Sequence, residues 1–140
     1  MLKILKLSFL PKSPDYGLLI LRVALGFSML MLHGRAKLLD FSAMATKFPA
    51  LFGLPANVNL GLAVFAEVVC SALLIAGLFT RFAALILAIT MGVAFFFVHK
   101  SALVDVAATG AKSGELAMVY LVAYVTLLFT GAGKFSVDRE

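Results

Sequence analysis

Four apolar runs dominate this chain: Tyr16 to Leu32, Val58 to Phe79, Phe82 to Val98 and Leu116 to Thr130. A helix needs about 20 apolar residues, with ~17 as a lower limit, to cross the hydrocarbon of a bilayer. Lipid-exposed backbone must satisfy its polar groups internally, so runs of this length point to spanning helices. Composition agrees: 63% of the 140 residues are hydrophobic and 14% charged, against roughly half and a quarter in soluble domains. Mean hydropathy is +1.08. The expected fold is an all-α membrane protein of one domain, a four-transmembrane-helix antiparallel bundle. Its spans are expected over about residues 16–32, 58–79, 82–98 and 115–131. The fourth run is short, which places Glu115 and Gly131 near the interfaces.

The connections are informative. The opening MLKILKLSFLPKSP has apolar residues broken by Lys3 and Lys6, no small-residue cleavage site, and Pro11 and Pro14 after them. It reads as a retained cationic segment, residues 1–15, lying on the membrane surface rather than a signal peptide. Between the first two runs, Phe41, Met44, Ala45, Phe48, Leu51 and Phe52 recur at near-helical spacing. Ser42 can cap that stretch, Pro49 interrupts it, and Gly53 and Pro55 close it. An interfacial helix over the mouth of the bundle is expected there, with Asn57 and Asn59 as caps for the second span. Thr80 and Arg81 alone separate the second and third runs, which forces an antiparallel hairpin. Ala84, Ala88 and Gly92 form a small-residue ridge, open either to another helix of the bundle or to a second copy of the chain. The sequences near Arg22 and Arg81, each leading to a histidine, form a faint internal echo.

Twelve basic residues against seven acidic give a net charge of +5. In so apolar a chain this suits anionic lipid, and no basic cluster is interleaved with stacking aromatics, which argues against nucleic acid. Trp is absent, leaving 13 Phe and 3 Tyr for any interfacial belt. The single cysteine, Cys70, excludes an internal disulfide and CxxC chemistry. Counting Lys and Arg on each side sets Lys3, Lys6, Lys12, Arg81, Lys134 and Arg139 against Arg35, Lys37, Lys47, Lys100 and Lys112. The lysines before the first span favour the plasma (inner) membrane with both termini cytoplasmic.

Arg22 lies inside the first apolar run, where a guanidinium is costly unless it meets a partner within the protein. With His33 taken as the end of the span, Arg22 is roughly 16 Å below that surface. Glu67 is roughly 12 Å below the same surface. An Arg22–Glu67 pair near mid-membrane is therefore expected. Because alternate spans run in opposite directions, His33, Arg35, Lys37, Glu67, His99 and Glu115 converge on one mouth and form a candidate ligand pocket. Each has a structural alternative: a clamp for Arg22 and Glu67, interface residues for the histidines, headgroup anchors for Arg35 and Lys37, a helix-dipole partner for Glu115. No HxxH or ExxH spacing supports a metal site.

These residues also carry a resemblance. LLILRVALGFSMLMLHGRAKL, the glutamate in FAEVVCSALLIAGLFTR, then FFFVH, then GELAMVYLVAYVTLLFTGAGKFSVD are similar to the DoxX family of small four-helix membrane proteins. The likeness covers residues 18 to 138. It rests on Arg22, His33, Gly34, Lys37, Glu67, Gly77, Thr80, Arg81, His99, Glu115, Gly131, Gly133, Lys134, Ser136 and Asp138. Ala132 stands where the family's closing turn often has proline. The family takes its name from a subunit of a thiosulfate:quinone oxidoreductase, so the resemblance implies an architecture more firmly than a chemistry.

The function expected from these features is a membrane-embedded accessory or quinone-interacting subunit of a redox system, concerned with sulfur or oxidative stress. Quinone is the expected ligand, and a redox partner protein, lipids and a second copy of the chain are the expected contacts. Histidine or Lys37 would donate to a quinone carbonyl, and Glu67 or Glu115 would supply a proton. A sulfur oxyanion is the other candidate ligand. The rival readings are a non-catalytic scaffold whose charges specify helix packing, and a small transporter or lipid-binding protein.

Overall fold

The computed structural model describes residues 2–107, 110 and 112–138, and the side chains from Ile4 onward within them. Arg139, counted above on the side of the termini, and the side chain of Lys3 lie outside the described residues.

After a short turn of helix at Leu2–Leu5, helix α1 runs from Pro14 to Leu39. Ser13 starts it: its backbone is extended and its Oγ accepts from the Tyr16 amide at 3.4 Å. Pro14 follows, where a missing N–H costs nothing. The helix does not stop at His33 and Gly34. It passes through them as a π-helical segment, Leu30–Gly34, and continues over Arg35–Leu39. Helix α2, Ala56–Ala76, carries a second π segment at Phe65–Cys70. Helix α3, Thr80–Val98, ends in a third, Ala94–Val98. Helix α4 is the shorter apolar helix Glu115–Thr130. By length and composition α1, α2 and α3 are long and apolar enough to cross a membrane.

Helices α1 and α2 approach closely because two glycines leave room. A Cβ on Gly26 would fall 2.9 Å from the Ser71 carbonyl oxygen, and one on Gly34 2.7 Å from that of Glu67. Helix α3 packs on α4 through the small-residue ridge: Ala84 and Ala88 are buried, and Gly92 faces the Leu121 side chain. The shared core includes Met29, Leu74, Leu87, Tyr120, Tyr124 and Leu127. Two capping expectations are corrected. The N-cap of α2 is Pro55, while Asn59 turns outward to the preceding loop. Ser42 lies inside the short helix Phe41–Met44, whose N-cap is Asp40.

The α2–α3 turn is a Schellman closure. Gly77 is left-handed at φ +69°, with Leu78 N–H bonded to the Leu73 carbonyl at 3.0 Å and Gly77 N–H to that of Leu74 at 3.2 Å. The C-terminal tail folds back onto this turn. Asp138 accepts from the amides of Phe79 at 2.9 Å and Thr80 at 2.8 Å, capping α3 from a distance, and its own N–H reaches the Gly77 carbonyl. Partial burial pushes the Asp138 carboxyl upward in pKa. The Thr80 and Phe79 amides and the charge of Arg22 outweigh it and hold the group below the usual carboxylate range.

Candidate functional site

Arg22, almost fully buried, faces this turn. Its Nη1 donates to the carbonyls of Leu74 at 3.2 Å and Ile75 at 2.8 Å, and its Nη2 donates to the Phe135 carbonyl of the tail. A Cβ at Gly77 would collide with this guanidinium. The expected Arg22–Glu67 pair does not form. Gly34 is the α1 residue level with Glu67, so Arg22, twelve residues earlier, lies roughly 18 Å away along the axis. The difference arises because the first helix does not end at His33 but continues to Leu39. Arg22 fixes α1, α2 and the tail at one end of the bundle, and the expected pocket is at the other.

There Glu67 has a different partner. Lys37, on the final turns of α1, places Nζ 2.6 Å from Glu67 Oε2, with side-chain exposures of 18% and 5%. The continuation of α1 beyond Gly34 brings the lysine into reach. The missing side chain at Gly34 lets the two helices come together beside it. Glu67 itself lies in the α2 π segment, and π segments occur frequently at functional sites because they re-aim side chains relative to the regular helix.

The pair opens onto a cavity of about 410 Å³ between α2 and α3. Leu62 and Ala63 of α2 and Ile89, Met91 and Val98 of α3 contribute walls. The loop before α2 covers it with Phe48, Pro49, Leu51, Phe52 and Leu54. Asn59 holds that cover in place, its Nδ2 lying 3.2, 3.2 and 3.3 Å from the carbonyls of Pro49, Leu51 and Leu54. The Phe52 ring meets Phe97 edge-on, centroids 4.9 Å apart. Phe52 adopts a left-handed backbone at φ +57° to do so.

Of the six residues expected at the mouth, Lys37 and Glu67 line this cavity and the others do not. His33 lies one turn before Lys37, its ring edge-on to Tyr120 with centroids 5.9 Å apart. His99 faces the α3–α4 connection, Nδ1 3.0 Å from the Lys112 carbonyl oxygen. Glu115 and Arg35 are exposed. Behind Glu67, the Tyr120 hydroxyl donates to Ser28 Oγ at 2.7 Å, and Tyr124 stacks on Tyr120. Tyr124 and Ser71 are buried hydroxyl residues with no hydrogen-bond partner among the described residues. An asparagine at the head of the second run is the sequence signal for the fastened cover, and the tyrosines of the otherwise apolar fourth run are the signal for the hydroxyls packed outside the cavity.

The site therefore offers one cationic donor and one carboxylate, mutually neutralised, at the base of a carbon-lined chamber. Such a chamber can hold an apolar molecule and orient a single polar end. Among the described residues no three His, Cys, Asp or Glu side chains converge as metal ligands.

A family model, DoxX, matches residues 17–100. A Haemophilus influenzae protein named as an uncharacterized protein is 37% identical over 131 residues, covering 94% of this chain and 95% of its own length. A second uncharacterized protein from the same organism is 37% identical over 99 residues, or 70% of this chain and 64% of that protein. No solved structure matches the chain.

Proposed function

We propose, for a chain that belongs to the DoxX family of membrane proteins, a role as the quinone-binding accessory subunit of a membrane redox system. The observation that carries this reading is the Lys37–Glu67 pair at the base of an apolar cavity. Lys37 Nζ would donate to a quinone carbonyl, and Glu67, ionised in the pair, would take up protons from water and relay them as the ring is reduced. Reduction to the quinol takes two electrons, delivered by a redox partner protein, and two protons, both drawn from water and passed to the ring through the Lys37–Glu67 pair. A pair that neutralises itself within apolar walls favours an uncharged ring over a sulfur oxyanion, whose charge would enter carbon-lined space without a counter-ion of its own. In this arrangement all four helices cross the inner membrane, and the three lysines before α1 favour both termini in the cytoplasm.

The Arg22 cluster favours the scaffold reading for the opposite end of the molecule, where the guanidinium Nη1 and Nη2 donate to backbone carbonyls of α2 and the tail. The two readings are compatible, one for each end.

The test is a titration of the purified protein in lipid nanodiscs with a decyl-substituted benzoquinone. Binding is expected in the unaltered chain and a loss of at least tenfold in Glu67→Gln and Lys37→Gln, with the helical circular dichroism spectrum retained. Equal binding by both variants would remove the ion pair from the site and leave the scaffold reading.

A further inference from the structure

The cavity has two boundaries of different character. Toward the loop it is covered by five apolar residues, Phe48, Pro49, Leu51, Phe52 and Leu54. That cover is fastened by Asn59 to three of its carbonyls and by the Phe52–Phe97 ring contact to α3. Toward the side, the cavity reaches Leu62 of α2 and Ile89 of α3. These two residues are 56% and 55% exposed on helices long and apolar enough to cross a membrane, so a bilayer around those helices would lie against them. Glu67, at the inner end, comes eleven residues after the start of α2, roughly 16 Å along its axis. The polar end of the chamber is thus deep, its fastened face looks toward the loop, and its unfastened face looks outward between α2 and α3.

We infer that the site is loaded sideways from the bilayer, between Leu62 and Ile89, by a molecule with an uncharged hydrogen-bonding head and an apolar chain. The head passes inward to Lys37 and Glu67, and the chain remains between α2 and α3 with its end in lipid. The loop cover stays closed throughout. A water-soluble ligand has no such path, since it would have to part the five apolar residues and break the Asn59 clasp. The inference rests on the quinone reading above and specifies which quinones can reach the site.

Two variants separate the routes, and the chain is convenient for both because its one native cysteine, Cys70, is fully buried. In the first, Phe52→Cys and Phe97→Cys are joined by a short bis-maleimide, which locks the cover; both native side chains are exposed. In the second, Leu62→Trp and Ile89→Trp fill the lateral gap. Each protein, in nanodiscs, is mixed with a benzoquinone carrying a decyl chain or with the same ring lacking it. The locked protein should bind the decyl compound at the rate of the unaltered chain, and the filled protein at least tenfold more slowly. The tail-less ring should bind at least tenfold more weakly than the decyl compound in every case. Slowed binding in the locked protein with none in the filled one would overturn lateral loading while leaving the quinone reading intact. Absence of binding by both compounds to the unaltered chain would overturn the quinone reading itself, and lateral loading with it.

Discussion

Lys37 Nζ and Glu67 Oε2 are 2.6 Å apart, joining the last turns of α1 to the π segment of α2 at the base of a carbon-lined cavity. Removing one partner of a buried pair leaves the other charge desolvated without compensation. Lys37→Met and Glu67→Gln, taken singly, are therefore each expected to destabilise the protein by about 3–5 kcal/mol. The double variant Lys37→Met/Glu67→Gln should lose much less than the sum of the single changes. Thermal unfolding in detergent across the four proteins of the cycle measures that coupling; additive losses would mean the two groups do not act as a pair.

The tail contact carries a pH signature. Asp138, outside the helices, has its carboxyl held below the ordinary range because the Thr80 and Phe79 amides, with the charge of Arg22, outweigh its burial. A group whose folded pKa is depressed stabilises fully above its unfolded value, about 3.9 for aspartate, and loses that contribution as pH falls through the folded value. Acid titration of unfolding should therefore show stability falling below about pH 4. In Asp138→Asn that part of the acid limb should flatten. An unchanged acid limb in the variant would show that the contact does not form in solution.

Gly34 and Gly61 make a matched pair. A Cβ at Gly34 would press on the Glu67 carbonyl, whereas at Gly61 it would meet nothing within 4 Å. Gly34→Ala should cost about 1–3 kcal/mol through overpacking. Gly61→Ala should be neutral or gain up to about 1 kcal/mol from helix propensity. Equal effects of the two changes in thermal unfolding would contradict the close approach of α1 and α2.

Tyr124 bears a fully buried hydroxyl with no partner among the described residues. Deleting an unsatisfied buried group relieves its desolvation, so Tyr124→Phe should be neutral or stabilising, by about 1 kcal/mol. Tyr120→Phe removes the bond to Ser28 and should instead destabilise by about 1 kcal/mol. The two midpoints, compared under one set of conditions, check the assignment.

Much of the helical framework was legible in the sequence because apolar run length sets where a helix can lie in lipid. The positions of the polar groups were less so. Arg22 within an apolar run implies a partner inside the protein, but backbone carbonyls leave no mark in sequence, so a carboxylate is the partner the sequence suggests and carbonyls are the ones the fold supplies. Gly34 and the charges around it resemble a helix stop. His33 and Gly34 belong instead to a π segment, after which α1 continues through Arg35 and Lys37 to Leu39, and this extension moves Lys37 into reach of Glu67. Asn59 illustrates the same limit: its place at a helix start suggested a cap, whereas its side chain serves three carbonyls of the loop that precedes it.

The most direct test is photoaffinity labelling in nanodiscs with an azido-quinone bearing a decyl chain, followed by peptide mass spectrometry. Label is predicted on the segments around Lys37, Leu62 to Glu67, and Ile89 to Val98, and should be competed away by unlabelled decyl-benzoquinone. Label spread over lipid-facing residues elsewhere, or insensitive to competitor, would contradict a quinone site at the Lys37–Glu67 pair.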